Sequence, residues 1–205
     1  MGKYESPYSG SGSLTREQFL FHETKIVAKL MTDEGLSDDE ILEKVISENL
    51  FQFPTEKTIK KVAKGCIRRL HCLDDMTLVR TIAHSPVEVA KQVCLYAMMK
   101  QYRLVWDYMI TVIGAKYREQ DLSYGRIDLN VFFMRLQEQD DEVASWTDGT
   151  INKIKQVLNK ILIENDYIDS PRATILNPVM ICSEVENAIR ANGEDVALPA
   201  FNCFY

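Results

Sequence analysis

The chain has 205 residues, of which 46% are hydrophobic and 26% charged, with only 9 Gly and 6 Pro. These values exclude collagen-like, low-complexity and disordered classes and leave room for one domain or two small ones. With 24 basic against 30 acidic residues the formal charge is −6, so the chain as a whole is no basic nucleic-acid coat, and any such binding must come from a local patch.

Residues 1–13 are polar and rich in Gly, Ser and Tyr, without the apolar run of a secretory leader, and read as a disordered tail. Thr15 and Gln18 have capping-box spacing ahead of an apolar stripe through Phe19, Ile26, Val27, Leu30 and Met31. Gly35 and Leu36 fit a left-handed helix stop, and Ser37 with Glu40 forms a second box. Asn49–Phe53 is a connector closed by Pro54. Thr55 then caps a helix whose Ile59, Val62, Ala63, Cys66, Ile67 and Leu70 make one buried side. Asp74 or Asp75 opens a short helix to Ala83. Ser85-Pro86-Val87-Glu88 starts a long apolar helix expected to run to Tyr117, with Gly114 tolerated near its end. Composition changes over Glu119–Gly125.

After this change, Asp121 or Asp128 caps a helix over 128–138 bearing Leu129, Phe132, Phe133 and Leu136, and Thr147 or Asp148 caps another over 148–164. Tyr167-Ile168, a turn through Asp169–Arg172, and Thr174-Ile175-Leu176 predict a short β-hairpin. Ser183 with Glu186 caps a last helix ended by Gly193, and Leu198–Tyr205 forms an apolar tail suited to docking. The expected organisation is mostly α: a tail (1–13), a helical domain (14–118), a winged-helix-like module (119–182) and a C-terminal helix and tail (183–205).

Val87–Ala115 is long enough to span a bilayer, but it contains Lys91, Lys100, Arg103 and Asp107, each costing about 2.5–3.5 kcal/mol at a membrane centre. It reads as a buried helix of a cytoplasmic protein with no membrane association. The five cysteines are odd in number and form no C-x-x-C pair, which suits reduced, mostly buried thiols and gives no support to a metal site at His71-Cys72. No nucleophile elbow, P-loop, dinucleotide fingerprint or H-E-x-x-H motif occurs. The expectation is a protein without catalytic activity or cofactor.

The informative feature is the polar side of the Thr55 helix. It carries Lys57, Lys60, Lys61, Lys64, Arg68 and Arg69, with no acidic residue between Glu56 and Asp74. Solvated helix faces usually mix signs, because like charges at i, i+4 repel. A one-signed face on an acidic chain therefore calls for an external counter-charge, and phosphate supplies it. The bland reading is a solvated face neutralised by acidic helices of the same fold, such as Asp38-Asp39-Glu40. The helix starting at Ser37 followed by this basic helix is helix-turn-helix-like, with a longer connector than that motif's three or four residues. The 148–164 helix offers Lys153, Lys155 and Lys160 for phosphates and Asn152, Gln156 and Asn159 for base edges, with Arg172 at the expected wing tip. Tyr102, Trp106 and Tyr108 sit in an apolar helix and read as core, which favours duplex over single-strand binding.

Glu23–Ala28, Ser47–Phe53, Ile67-Arg68-Arg69-Leu70, Gln101–Asp107 and Ser145-Trp146-Thr147 resemble the BrxA family of BREX bacteriophage-defence systems, a likeness running from about Leu14 to Ser183. The resemblance implies an all-helical, NusB-like bundle, double-stranded DNA binding and work beside other BREX proteins. The family's inner-membrane label conflicts with the charges within Val87–Ala115. Two basic modules on an acidic chain suit a homodimer. The functional expectation is a non-enzymatic double-stranded DNA-binding accessory protein that holds mainly the phosphate backbone with low sequence specificity. An assembly subunit that binds an acidic partner, or an RNA-binding protein, is the alternative.

Overall fold

The computed structural model describes residues 5–204, and Met1–Tyr4 of the expected tail lie outside them. The chain divides into two compact units, one built from residues up to Gln18 together with those from Tyr102 onward, the other from Phe19–Gln101. The division falls inside the two segments expected to be continuous helices, rather than at 118/119.

In the Phe19–Gln101 unit, α1 (Phe21–Asp33) begins one residue after Leu20, whose φ of 50° places it in the left-handed region. Thr15 is not its cap. It closes a 3-10 turn over Ser11–Thr15 in the other unit, donating from Oγ1 to the Gly12 carbonyl at 2.9 Å. The stop at Gly35 is as expected: φ is +63°, and Leu36 N–H reaches back to the Leu30 carbonyl at 3.3 Å. Ser37 and Glu40 form the full capping box of α2 (Asp38–Ser47). Thr55 accepts from Thr58 N–H at the start of α3 (Glu56–His71). Asp75 does the same for Thr77 at the start of α4 (Met76–His84).

The helix α5 (Val87–Gln101) buries Ala90 and every residue from Val93 to Met99. It packs with α3 and α4, while α1 meets α3 and α4 and α2 meets α3. The apolar side of α3 is closed off, with Ile59, Val62, Ala63, Cys66, Ile67 and Leu70 all buried. At about 1.5–3 kcal/mol per large aliphatic side chain, this burial fixes which face α3 turns outward.

In the other unit, the expected helix to Tyr117 is interrupted. Tyr102 is extended (φ −126°, ψ 109°) and starts α6 (Arg103–Tyr108), a π-helical stretch over Met109–Gly114 follows, and α7 is Ala115–Glu119. Gly114 is more than tolerated: a Cβ there would lie 3.0 Å from the Ala200 amide nitrogen and 3.2 Å from the Pro199 carbonyl carbon. The 3-10 turn Asp195–Phe201 packs on the π stretch through that gap, burying Leu198 and Phe201, so the apolar tail docks as its composition suggested. Gly125 precedes α8 (Arg126–Gln139), and its N–H is taken by the Asp128 carboxylate at 2.7 Å. Asp140 caps the single turn α9 (Asp141–Ala144), and Thr147 caps α10 (Asp148–Glu164). In the final helix α11 (Ser183–Ala191), Ser183 is the first residue and not the cap, with Cys182 before it.

Two expectations are corrected. The described residues contain no strand, hence no hairpin and no winged helix. Thr174–Leu176 pairs with Leu122–Tyr124 instead of with Tyr167-Ile168, through a one-residue antiparallel bridge between Ser123 and Ile175 flanked by Tyr124 N–H to Thr174 and Leu176 N–H to Leu122. That contact spans some fifty residues of sequence, beyond the reach of local turn signals. The tail, over its described part, is also ordered. Leu14 is fully buried, Tyr8 donates to Asp107 at 2.8 Å, and Ser6 donates to Asp140 at 2.9 Å.

Candidate nucleic-acid interface

On α3 the cations sort by helical phase. Lys57, Lys60, Lys61, Lys64 and Arg68 are all exposed, at spacings i, i+3, i+4, i+7 and i+11, which is one stripe of a 3.6-residue helix. Among the described residues Lys57, Lys60, Lys61 and Lys64 form no ion pair. No acidic residue of α2 pairs with them among the described residues, and two of those acids are engaged within their own surroundings. Asp38 holds His71 at 2.9 Å, Glu40 is spent on the Ser37 box, and Lys44 is paired to Glu34 at 2.6 Å.

Arg69 does not belong to this face. It is wholly buried, its Nε donates to Gln101 Oε1 at 3.0 Å, and its Nη1 donates to the Phe19 carbonyl. A charged group so enclosed is a structural clamp, because its hydrogen bonds offset its desolvation. The phase of the sequence carried this signal: Arg69 follows Val62 and Cys66 by seven and three residues and so lies on the apolar stripe.

The second set lies on the other unit. Lys153 and Arg172 are exposed. Lys155 is half-buried, donates to Asn130 Oδ1 at 2.8 Å and stands 5.4 Å from the Phe133 ring centroid. Lys160 is shared between Gln18 Oε1 at 3.1 Å and Glu164 at 3.7 Å. Lys155 and Arg172 line two adjoining grooves of about 520 and 290 Å³, which share Arg126, Asn159 and Pro171; Lys153 and Lys160 line neither. Arg126 and Asn130, at the start of α8, were not legible as site residues, because nothing in their own helix is one-signed.

Asn159 is fixed from behind. Tyr108 and Tyr124 hydroxyls are 2.6 Å apart, and Tyr124 donates to Asn159 Oδ1 at 2.7 Å. Burial pushes the Tyr124 phenol up to about 12 and Tyr108 well above its usual range, so both remain proton donors. With the Tyr124 proton committed to Asn159, Tyr108 donates to Tyr124, and the Asn159 amide nitrogen is left for other partners.

No group of three or more His, Cys, Asp or Glu side chains suited to a metal occurs among the described residues. No described helix is long and apolar enough to cross a membrane. No disulfide joins the cysteines among the described residues, and desolvation raises the Cys66 thiol to about 12.

The BrxA family model matches residues 6–193. Over 179 residues the chain is 38% identical to "BREX protein BrxA" of Bacillus cereus (strain H3081.97), covering 86% of this chain and 88% of that one. The protein of the same name from Escherichia coli O9:H4 (strain HS) is 24% identical over 183 residues, 89% of this chain and 85% of the relative. The fold is also that of an uncharacterized protein from Magnetospirillum magneticum known from its crystal structure, with a TM-score of 0.78 at 22% identity over 93% of this chain and 96% of that one. By family match and by identity to these relatives, the chain belongs to the BrxA family.

Proposed function

We propose that this protein is a non-enzymatic, double-stranded DNA-binding accessory component of a BREX phage-defence system, working in the cytoplasm beside other BREX proteins. The observation that carries the reading is the stripe Lys57, Lys60, Lys61 and Lys64, exposed on a rigid helix and without an internal counter-charge. Like charges three and four residues apart destabilise a helix, so the stripe has a cost that an external polyanion relieves. Arg68 extends it, and Lys153, Lys155, Lys160 and Arg172 supply a second, weaker set. Contacts of this type hold phosphates and carry little sequence information.

The test is a gel shift of the purified protein on duplex DNA of random sequence. Retention is expected, as is its loss on reversing Lys60, Lys61 and Lys64 to Glu while the circular-dichroism spectrum stays helical. If the wild-type protein alone does not retain duplex, the stripe serves an acidic protein partner in an assembly instead.

A further inference from the structure

The grooves between α8, α10 and the turn at Pro171 have a lining that backbone contacts alone do not explain. Their charged groups are Arg126, Lys155 and Arg172, and no carboxylate lines either groove. Arg126 stands where the two grooves meet and has no ion pair among the described residues. The acidic residue in the first turn of α8, Asp128, is held away by Gly125 N–H and by Lys116 at 3.0 Å.

The remaining polar lining is amide. Asn130, Asn152, Gln156 and Asn159 line the larger groove, and the hydroxyl relay behind Asn159 sets its orientation before any ligand arrives. Asn and Gln side chains present a donor and an acceptor side by side, which matches the edge of a nucleobase. The exposed Pro171 adds apolar surface for a ring face. The volume of the larger groove falls within the range of small-molecule sites, about 300–1,000 Å³. Cations for a phosphate, amides for a base edge and an apolar flank are the parts a nucleotide needs.

We propose that these adjoining grooves form a nucleotide-phosphate site, with Arg126 holding the phosphate at their junction and the amides of α10 meeting the base. The phosphate belongs either to a free mononucleotide or to a nucleic-acid strand. The site is independent of α3, so it stands or falls apart from duplex binding by the lysine stripe.

The experiment is calorimetric titration of the full chain with adenosine 5′-monophosphate, ribose 5-phosphate and adenosine, and with a short unphosphorylated oligoadenylate. Saturable binding of the monophosphate is expected, weaker for either fragment. Arg126→Ala, an exposed position, should weaken it at least about tenfold, the value of one charge-assisted hydrogen bond, and Asn159→Asp should weaken it as well. Lys60→Ala/Lys61→Ala/Lys64→Ala should leave it unchanged. Tighter binding of the oligoadenylate assigns the phosphate to a strand interior, and tighter binding of the monophosphate assigns it to a free nucleotide or strand end. The proposal is overturned if neither ligand saturates by about 10 mM, a concentration beyond the weak end of specific binding. It is equally overturned if Arg126→Ala binds as the wild type does, or if ribose 5-phosphate binds as well as the nucleotide.

Discussion

Replacing Lys60, Lys61 and Lys64 by Ala gives a quantitative test of the lysine stripe. Lys57 to Lys64 covers seven residue steps of α3, about 10 Å at a rise of 1.5 Å per residue. One strand of B-DNA presents a phosphate about every 3.4 Å of axis, so that length is enough for four lysines to find separate phosphates. Four neutralised phosphates give a slope of log affinity against log salt of about −3.6, or a loss of about 150-fold between 50 and 200 mM. The triple variant keeps one of the four, and the slope should become shallower by about 2.7. Because the quantity is a difference of slopes, contacts elsewhere on the protein cancel.

The same variant should be more stable than the wild type. Lys57–Lys60, Lys57–Lys61, Lys60–Lys64, Lys61–Lys64 and Lys64–Arg68 are like-charged neighbours, each costing about 0.2–0.5 kcal/mol, and all five are removed. The assay is fluorescence anisotropy on a random duplex at four salt concentrations, with urea unfolding of both proteins. A slope change below about one phosphate equivalent would refute the assignment of α3 to the DNA backbone, whatever the absolute affinities.

Arg69→Leu tests the division of α3 into a contact face and a clamp: it should lower unfolding stability by about 3 kcal/mol, since it strips partners from Gln101 and the Phe19 carbonyl, and an unchanged denaturant midpoint would contradict the burial. Gly114→Ala should cost about 1–3 kcal/mol, because the new methyl meets backbone atoms of Pro199 and Ala200 that cannot rotate away; differential scanning calorimetry reads the drop in Tm. Cys66 ionises near 9 when unfolded and near 12 when native, so the native state keeps a proton the unfolded chain sheds. Its contribution is fully present below about pH 9 and is lost as pH rises toward 12, at up to about 1.4 kcal/mol per pH unit. Urea midpoints at pH 8 and 10 should show a steeper fall for the wild type than for Cys66→Ala, and equal falls would remove Cys66 as the cause.

What could be read from the sequence was local. The Ser37–Glu40 box, the Thr55 and Thr147 caps and the left-handed Gly35 each involve groups within six residues, so residue identity and spacing suffice. The one-signed stripe of α3 was legible for the same reason. The interruption at Tyr102 was not: no Gly or Pro marks it, and the Tyr102 hydroxyl is held by Glu17 at 2.5 Å and Ser13 at 3.0 Å, some ninety residues earlier. The π stretch at Met109–Gly114 adds no sequence signature either, and the segment that packs on it, Pro199-Ala200, lies some ninety residues later. Thr174–Leu176 had the composition of a strand, but its partner was distant in the chain. The ten candidate cations separated in the structure for reasons of phase and partner: Arg69 by its place on the buried stripe, Lys160 by Glu164 and Gln18, and Lys155 by Asn130 and the Phe133 ring. Arg126 was invisible because its site is completed by α10 and the 171–174 turn.

The unit holding Tyr8, Leu14 and Gln18 is discontinuous: the whole of Phe19–Gln101 interrupts it. The segment around Leu14 packs on α10, which emerges from the ribosome more than a hundred residues later. At about 5–20 residues per second of synthesis, the earlier piece of this unit waits about 7–27 s for its partner. The uninterrupted insert has all its own helices in hand during that interval. The contact that buries Leu14 against α10 is therefore one that only a chain synthesised past α10 can make.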